Sequence, residues 1–441
     1  MIELSKYDLE TLREDEEFVL ERGQGDRDLS AILVVAPVSE HPAPGILERL
    51  EHEYSLRAEL DSKWAARPLT LVRREGRPML ILEDPGGELL DRLVGEPMEL
   101  SRFLRFAVGL AAAVGNLHQQ GLIHKDIKPA NVLVNSDTGE CWLSGFGFAS
   151  RLVRERQVPD PPESIAGTLA YMAPEQTGWM NRSIDSRSDL YSLGVTLYQM
   201  LTGSLPFTAS DPMEWVHCHI ARKPVSPRER LENVPDPVSQ IIMKLLAKTA
   251  EERYQTAAGL ESHLRQCHAE WERRGRIDSV VFSEHDAPDR LLIPEKLYGR
   301  AREVDILLAS FDRIVESGTP ELVLVSGYSG IGKSSVVNEL HRVLVSRRGF
   351  FASGKFDQYK RDIPYSTLVQ AFQSLVRPLL SKSDAELSRW RDEILSALSP
   401  SGRLMTDLIP ELTLVIGEQP PLPELEAQQA QRRFQSCSVA S

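Results

Sequence analysis

Residues 124–131, HKDIKPAN, decide the fold of this chain. They follow a helix-like run over residues 103–120 and are expected to form a tight turn. Such a turn brings together the carboxylate of Asp126, the ammonium of Lys128 and the amide of Asn131. These groups suit phosphoryl transfer to a hydroxyl. The carboxylate accepts the hydroxyl proton, the ammonium neutralises charge on the moving phosphoryl group, and the amide oxygen holds a magnesium ion.

This stretch resembles the catalytic loop of protein kinases, with Lys125 where arginine is usual. The lysine two residues after Asp126 resembles the Ser/Thr class rather than the Tyr class. The resemblance implies a bilobal protein-kinase-like fold over residues 1–270, with an N-lobe over about 1–84 and a C-lobe over about 85–270. It also gives structural roles to seven further residues: Glu53, Phe146, Gly147, Thr168, Glu175, Asp189 and Arg253.

Some of these roles are specific contacts that the resemblance implies. Thr168 is expected to form hydrogen bonds near Asp126, another feature of the Ser/Thr class. Asp189 is expected to secure the backbone of the catalytic loop. Arg253 is expected to form a buried, bidentate ion pair with Glu175. These contacts are structural, and together they predict the kinase fold.

The resemblance is weaker where ATP would be held. Residues 22–25, RGQG, offer only two of the glycines of a phosphate-covering loop. Val34 stands where a strand lysine is expected, so Glu53 lacks its usual partner. Gly145 stands in place of the aspartate that is the main magnesium ligand in the family. Asn131 then offers a single neutral oxygen to the metal.

The bulk composition excludes several classes of partner. The 441 residues include 51 basic and 64 acidic side chains, a formal net charge of -13, which disfavours nucleic acid or an anionic membrane. The N-terminus lacks a basic segment followed by an apolar core, so no signal peptide is expected. The longest apolar stretch, residues 103–117, is too short to span a bilayer. Four scattered cysteines fit reduced thiols, and we expect a cytoplasmic protein.

A second domain is expected over residues 297–441, after a charged linker over residues 271–296. Residues 321–326, ELVLVS, predict a buried strand, and a helix-period run follows the next turn. Between them lies a Gly-x4-Gly-Lys-Ser loop, whose backbone N–H groups face phosphates at a helix N-terminus. Lys333 reaches the β- and γ-phosphates of ATP, and Ser334 ligates magnesium. The ATP-binding residues are Gly327, Tyr328, Ser329, Gly330, Ile331, Gly332, Lys333, Ser334 and Ser335.

A working ATPase also needs a carboxylate at a strand end beyond this loop. The nearest candidate is residues 412–418, LTLVIGE, which lacks an aspartate at that position. Residues 424–434 predict a helix, and a polar tail follows it. We therefore expect a doubly wound α/β domain of the AAA type that is incomplete, and we hypothesise that the chain is a truncated product of a longer protein.

The order of kinase-like domain, linker and P-loop domain resembles the N-terminal part of the bacterial trifunctional proteins. These combine a Ser/Thr kinase-like domain, an ATP-binding domain and a sensor histidine kinase. The motifs that carry the resemblance are HKDIKPAN, GTLAYMAPEQ over residues 167–176 and GKFDQYKR over residues 354–361. This chain has no phospho-accepting histidine box, so the resemblance does not imply histidine kinase activity here.

Three functions remain open from the sequence. The first is a Ser/Thr protein kinase that uses Asp126, Lys128 and Asn131 on ATP and magnesium with a protein substrate. The second is a pseudokinase scaffold that binds a signalling partner. The third is a nucleotide switch in the P-loop domain that the kinase-like half regulates. The resemblance favours the first function, whereas the substitutions at Val34 and Gly145 favour the second.

Overall fold

The computed structural model describes residues 4–25, 29–74, 77–151, 168–178, 182–278, 286, 299–328, 331–340, 352–354, 356, 366–379, 384–398 and 402–420. The chain divides into two compact units, Met1–Pro159 with Ala166–Arg342 and Asp160–Ile165 with Val343–Ser441. Several predictions fall outside the described residues. They are Gly167 of the activation segment, Ser329 and Gly330 of the P-loop, and the helix over residues 424–434.

An antiparallel sheet and one helix form the N-lobe: β1 (Tyr7–Glu14), β2 (Phe18–Gly25), β3 (Ile32–Pro37), α1 (Pro44–Ser55), β4 (Pro68–Arg74) and β5 (Arg77–Glu83). The strands lie in the order β1-β2-β3-β5-β4. Side chains alternate between the two faces of a strand. One face packs on Leu50 of α1 through Leu33 and Leu80, and the other face buries Val34 with Ile81. The N-lobe that the resemblance implies is confirmed.

The glycines assigned to the phosphate-covering loop lie instead within β2. Gly23 and Gly25 pair with residues of β1 in the ladder. The turn that joins β1 to β2 is formed by residues 14–17, EDEE, and Asp15 accepts two backbone N–H groups within it, at 3.0 and 2.8 Å. The two glycines therefore predicted the wrong position for the phosphate-covering loop, because the position of the turn depends on how β1 and β2 pair. Its four carboxylates repel phosphate rather than bind it.

The C-lobe contains helices α2 to α7 and a small second sheet: β6 (Glu88–Leu89), α2 (Leu100–Gln119), β7 (Val132–Val134), β8 (Cys141–Leu143), α3 (Ser186–Thr202), α4 (Pro212–Ile220), α5 (Pro227–Arg230), α6 (Asp236–Leu245) and α7 (Ala257–Arg274). The helix predicted over residues 103–120 is confirmed as α2. Glu99 caps its start by accepting the N–H groups of Ser101 and Arg102. The apolar run over residues 103–117 lies within the longer α2, which alone among the described residues could cross a membrane by length and composition. It is a core helix, with 56% of its most apolar 18-residue window buried.

The regular elements among the described residues after Gly299 are helices. They include α8 (Ala301–Ser317) and α9 (Lys333–Asn338) in the first unit, and α10 (Ser366–Leu379), α11 (Asp384–Leu398), α12 (Gly402–Leu408) and α13 (Thr413–Ile416) in the second. The strand predicted over residues 321–326 is wrong for the described structure, because no described strand pairs with it. Leu322 and Leu324 are 86% and 83% exposed. A strand of this kind is buried only when neighbouring strands and helices cover it.

The candidate carboxylate strand over residues 412–418 is also wrong. Its central part is the short helix α13, and Val415 and Ile416 of this helix are buried in an apolar core with Met405 of α12. A short apolar run does not by periodicity alone distinguish a strand from a buried helix.

Candidate functional site

The predicted catalytic residues lie together in a turn between α2 and β7. The Asn131 amide donates to the backbone carbonyl of Asp126 at 2.8 Å and to its carboxylate at 2.9 Å. Lys128 Nζ lies 2.9 Å from the same carboxylate and donates to the Thr168 hydroxyl. The Thr168 N–H faces the other Asp126 oxygen at 3.4 Å. The structure thus brings together the predicted base, cation and amide with Thr168.

Helix α3 supports this turn through Asp189, which is fully buried. Its carboxylate accepts the N–H groups of His124 and Lys125 at 2.9 and 2.8 Å. Lys125 has a φ of 68°, a left-handed conformation that is costly for a residue other than glycine. Burial raises the pKa of Asp189, but the hydrogen bond and charge of His118 outweigh it, so the net pKa is lowered. The ionised carboxylate therefore holds the backbone that carries Asp126.

Phe146 and Gly147 connect the turn to helix α1. The Phe146 ring lies 4.8 Å from the His124 ring, centroid to centroid. A side chain at Gly147 would meet the Cβ of Arg49 on α1 at 3.1 Å. The structure thus places Phe146 against His124 of the turn and Gly147 against α1.

Arg13 of β1 is a site residue that sequence reasoning missed. Its guanidinium donates to the carbonyl of Ala130 at 2.6 Å and to the amide oxygen of Asn131 at 3.0 Å. The β1–β2 pairing shifts register between Thr11 and Arg13, and such a bulge re-aims a side chain. No local sequence motif predicts this contact, because Ala130 and Asn131 lie 117 and 118 residues from Arg13 along the chain.

The residues of this cleft do not fit a magnesium ion. The Asn131 oxygen that would bind the metal accepts a hydrogen bond from the Arg13 guanidinium. Gly145 has a φ of 78°, and a Cβ there would lie 2.8 Å from the same oxygen. Magnesium requires oxygen ligands in near-octahedral geometry, usually with carboxylates among them. A neutral oxygen already held by a cation does not supply that set.

The space beside the predicted hinge, residues 82–87, is filled with apolar side chains from both lobes. They belong to one cluster and are at most 2% exposed: Leu20, Leu33, Leu82 and Leu133. At the edge of this cluster Arg22 of β2 forms an ion pair with Asp84 of the hinge at 2.7 Å. An adenine ring would have to displace these leucines, and each buried leucine that moves into water costs about 1.5–3 kcal/mol.

The strand lysine that is missing from β3 would stand at residue 35, one residue after the predicted position. Val34 is buried on the face of β3 away from the cleft, in a cluster with Ile32 and Ile81. Val35 packs on the other cluster, which contains Leu50 of α1. Neighbouring strand residues point to opposite faces, so the residue opposite α1 is Val35. An apolar side chain still stands where a cation is expected.

Glu53 of α1 is left in this cleft without a lysine partner. The side chain is 4% exposed, and its Oε1 atom has no hydrogen-bond partner among the described residues. Burial raises the pKa of Glu53 to about 7, although the N–H groups of Phe146 and Gly145 and the charge of Arg13 act in the opposite direction. The carboxyl group is therefore half protonated near neutral pH.

We expect Glu53→Gln to stabilise the protein at pH 8 by roughly 2–3 kcal/mol. The unfolded chain releases this proton near pH 4.5 and the folded chain near pH 7, so wild-type stability falls as pH rises through that window. Urea unfolding at pH 5 and pH 8 measures the difference. Glu51→Gln on the exposed face of the same helix is the control, with no pH-dependent gain. An equal effect of Glu53→Gln at both pH values would contradict this assignment.

The described part of the P-loop places its lysine over the loop backbone. Lys333 Nζ donates to the carbonyls of Gly327 and Tyr328 at 2.9 and 2.8 Å. Gly332 precedes α9 with a φ of 95°, a conformation that favours glycine. The Lys333 ammonium thus lies within the loop that would surround the phosphates. Ser334 follows at the start of α9, as the motif requires.

Two protein families match successive parts of this chain. The family described as protein kinase domain matches residues 27–264, and the family described as AAA ATPase domain matches residues 296–440. The hybrid signal transduction histidine kinase G of Dictyostelium discoideum is 28% identical over 424 residues, which cover 76% of this chain and 12% of that protein. Histidine protein kinase 1 of Candida albicans is 26% identical over 360 residues, covering 73% of this chain and 14% of that protein.

A third relative is similar to the kinase-like part alone. The serine/threonine-protein kinase PknB of Mycobacterium tuberculosis is 34% identical over 193 residues, which cover 43% of this chain and 30% of that protein. The chain therefore spans less than a third of the length of each of these three relatives.

Proposed function

The chain belongs to the protein kinase family, and from this premise we propose that its kinase domain is a regulatory module that transfers no phosphate. In this proposal the nucleotide-dependent step belongs to the AAA ATPase domain, and the whole acts in signal transduction. The observation that carries the proposal is the Arg13–Asn131 hydrogen bond, which places a side-chain cation on the oxygen that would bind the metal.

The chemistry of phosphoryl transfer supports a silent kinase domain. Catalysis of this reaction consists almost entirely of positioning ATP and neutralising its charge. This cleft lacks the strand lysine at Val35 and the metal carboxylate at Gly145, and leucines fill the space for the base. Loss of the lysine or of the metal carboxylate each lowers the rate of phosphoryl transfer by orders of magnitude. The retained turn then serves as a structural element.

The AAA ATPase match supports ATP as the nucleotide of the second domain. Lys333 is placed to exchange its two carbonyl contacts for phosphate oxygens. In this proposal Ser334 ligates a magnesium ion that arrives with the nucleotide. A kinase domain without its own nucleotide then regulates the ATPase domain as a protein partner within one chain.

A second candidate function is Ser/Thr phosphoryl transfer to a protein substrate. The observation in its favour is the intact turn, in which Lys128 contacts both Asp126 and Thr168. For this function Arg13 and the leucines would have to leave the cleft when ATP enters. The similarity to PknB, named a serine/threonine-protein kinase, is a further reason to test it.

Phosphate transfer from radiolabelled Mg-ATP to a generic Ser/Thr protein substrate distinguishes the two candidates. The wild type, Asp126→Ala and Lys333→Ala proteins should all show no transfer above the substrate-alone background. Transfer that persists in Lys333→Ala but disappears in Asp126→Ala would establish the second candidate and refute the first. ATP hydrolysis measured on the same samples reports on the AAA ATPase domain separately.

A further inference from the structure

Asp286 of the linker is bound to the C-lobe at the start of helix α7. Its Oδ1 atom accepts the N–H groups of Gln255 and Thr256 at 2.8 and 3.0 Å. Its Oδ2 atom lies 3.1 Å from Lys244 Nζ. The Asp286 side chain is only 12% exposed. A carboxylate in this position gains from two backbone donors, a cation and the positive end of the helix dipole.

The shape of the C-lobe at this point also fits the carboxylate. Gly259, in the first turn of α7, has no side chain where Asp286 lies. A Cβ at Gly259 would lie 2.7 Å from Asp286 Oδ1 and 3.0 Å from its Cα. Lys244 is itself held over the Tyr254 ring, with Nζ 4.0 Å from the ring centroid. Both the cation and the space for the acid are therefore set by the C-lobe core.

We propose that the start of α7 is a docking site for a carboxylate, and that its occupant is Asp286 of this chain's own linker. Gly275 ends α7 about 27 Å from its start, because eighteen residues rise 1.5 Å each. By Asp286 the chain has therefore returned to the beginning of the helix. The docked acid fixes the point from which the chain continues toward the ATPase domain.

Docking changes the length of chain between the C-lobe and the ATPase domain. Gly299, where the described structure resumes, is 13 residues after Asp286 but 24 residues after Gly275. A shorter tether raises the effective concentration of one domain near the other. The site also adjoins the Glu175–Arg253 pair, since Gln255 donates to the carbonyl of Arg253 at 2.8 Å. Asp286 is thus attached two residues along the chain from the arginine of that pair.

Hydrogen exchange at the amides of Gln255 and Thr256 in the full chain tests this proposal. Asp286→Ala removes their acceptor, and we expect their exchange to accelerate about tenfold or more. Gly259→Ala keeps the acid but fills its place, and we expect the same acceleration. Alanine is a better helix former than glycine, so a weaker helix would not explain that result.

Asp278→Ala is the matched control, because it removes the same charge from an exposed linker pair with Arg276. Its exchange at Gln255 and Thr256 should equal that of the wild type. Unchanged exchange in Asp286→Ala would overturn the proposal. So would an equal acceleration at amides throughout α3, because that pattern reports loss of the whole fold rather than release of the linker.

Discussion

Replacing Arg253 with alanine is expected to destabilise the kinase domain by about 3–5 kcal/mol. The guanidinium donates to both carboxylate oxygens of Glu175, at 2.6 and 2.8 Å. It also donates to the backbone carbonyls of Ala247, Arg187 and Lys248. Arg253 is 1% exposed and Glu175 is 3% exposed, so the pair is shielded from solvent in the folded protein. The variant leaves an uncompensated buried carboxylate and removes a donor from three backbone carbonyls.

Urea unfolding of the full chain, followed through the first transition, measures this loss. Arg228→Ala is the control, because it removes an arginine from an exposed pair with Asp236 at 3.3 Å, where the side chains are 54% and 53% exposed. Such surface pairs contribute about 0–1 kcal/mol. Equal losses in the two variants would show that the buried pair does not carry the stability assigned to it.

The Lys333→Ala protein is expected to bind Mg-ATP about 100-fold more weakly than the wild type or worse, which corresponds to at least ~2.7 kcal/mol. The lysine is the only side-chain cation in the loop over residues 327–335. Charge-assisted hydrogen bonds to phosphate are stronger than neutral ones. Without the ammonium, the loop would hold phosphates by backbone N–H groups alone.

Titration with a fluorescent ATP analogue in the presence of magnesium measures this affinity. Lys128→Ala is the matched control, because it removes the same type of side chain from the kinase cleft. Its affinity should equal that of the wild type, since the cleft holds no nucleotide in this account. If Lys128→Ala weakens binding as much as Lys333→Ala does, the ATP site has been assigned to the wrong domain.

The parts of the kinase fold that were predictable from sequence depend on short-range motifs. The turn over residues 124–131 was predictable because its functional groups are at most five residues apart along the chain, and Asn131 donates directly to Asp126. The helix α2 was predictable because its apolar periodicity is strong over twenty residues. The similarity to protein kinases also placed Asp189, Glu175 and Arg253, which lie far apart in sequence.

The remaining features depend on register and on distant contacts. Val34 and Val35 are neighbours on β3, so their side chains lie on opposite faces of the sheet. An error of one residue in the predicted position therefore selects the wrong face. Arg13 reaches Asn131 because of a bulge in β1, and no residue pattern in the sequence predicts that bulge. The run over residues 321–326 has the composition of a buried strand, yet composition does not supply the neighbouring strands.

The number of Mg-ATP molecules bound per chain at saturation shows whether all nucleotide binds at the P-loop and none binds in the kinase cleft. Equilibrium dialysis with radiolabelled ATP gives this number for the wild type, Asp126→Ala and Lys333→Ala. We predict one molecule per chain for the wild type and for Asp126→Ala, and none for Lys333→Ala. Two molecules bound to the wild type, or one retained by Lys333→Ala, would contradict the claim that the cleft is closed by Arg13 and the buried leucines.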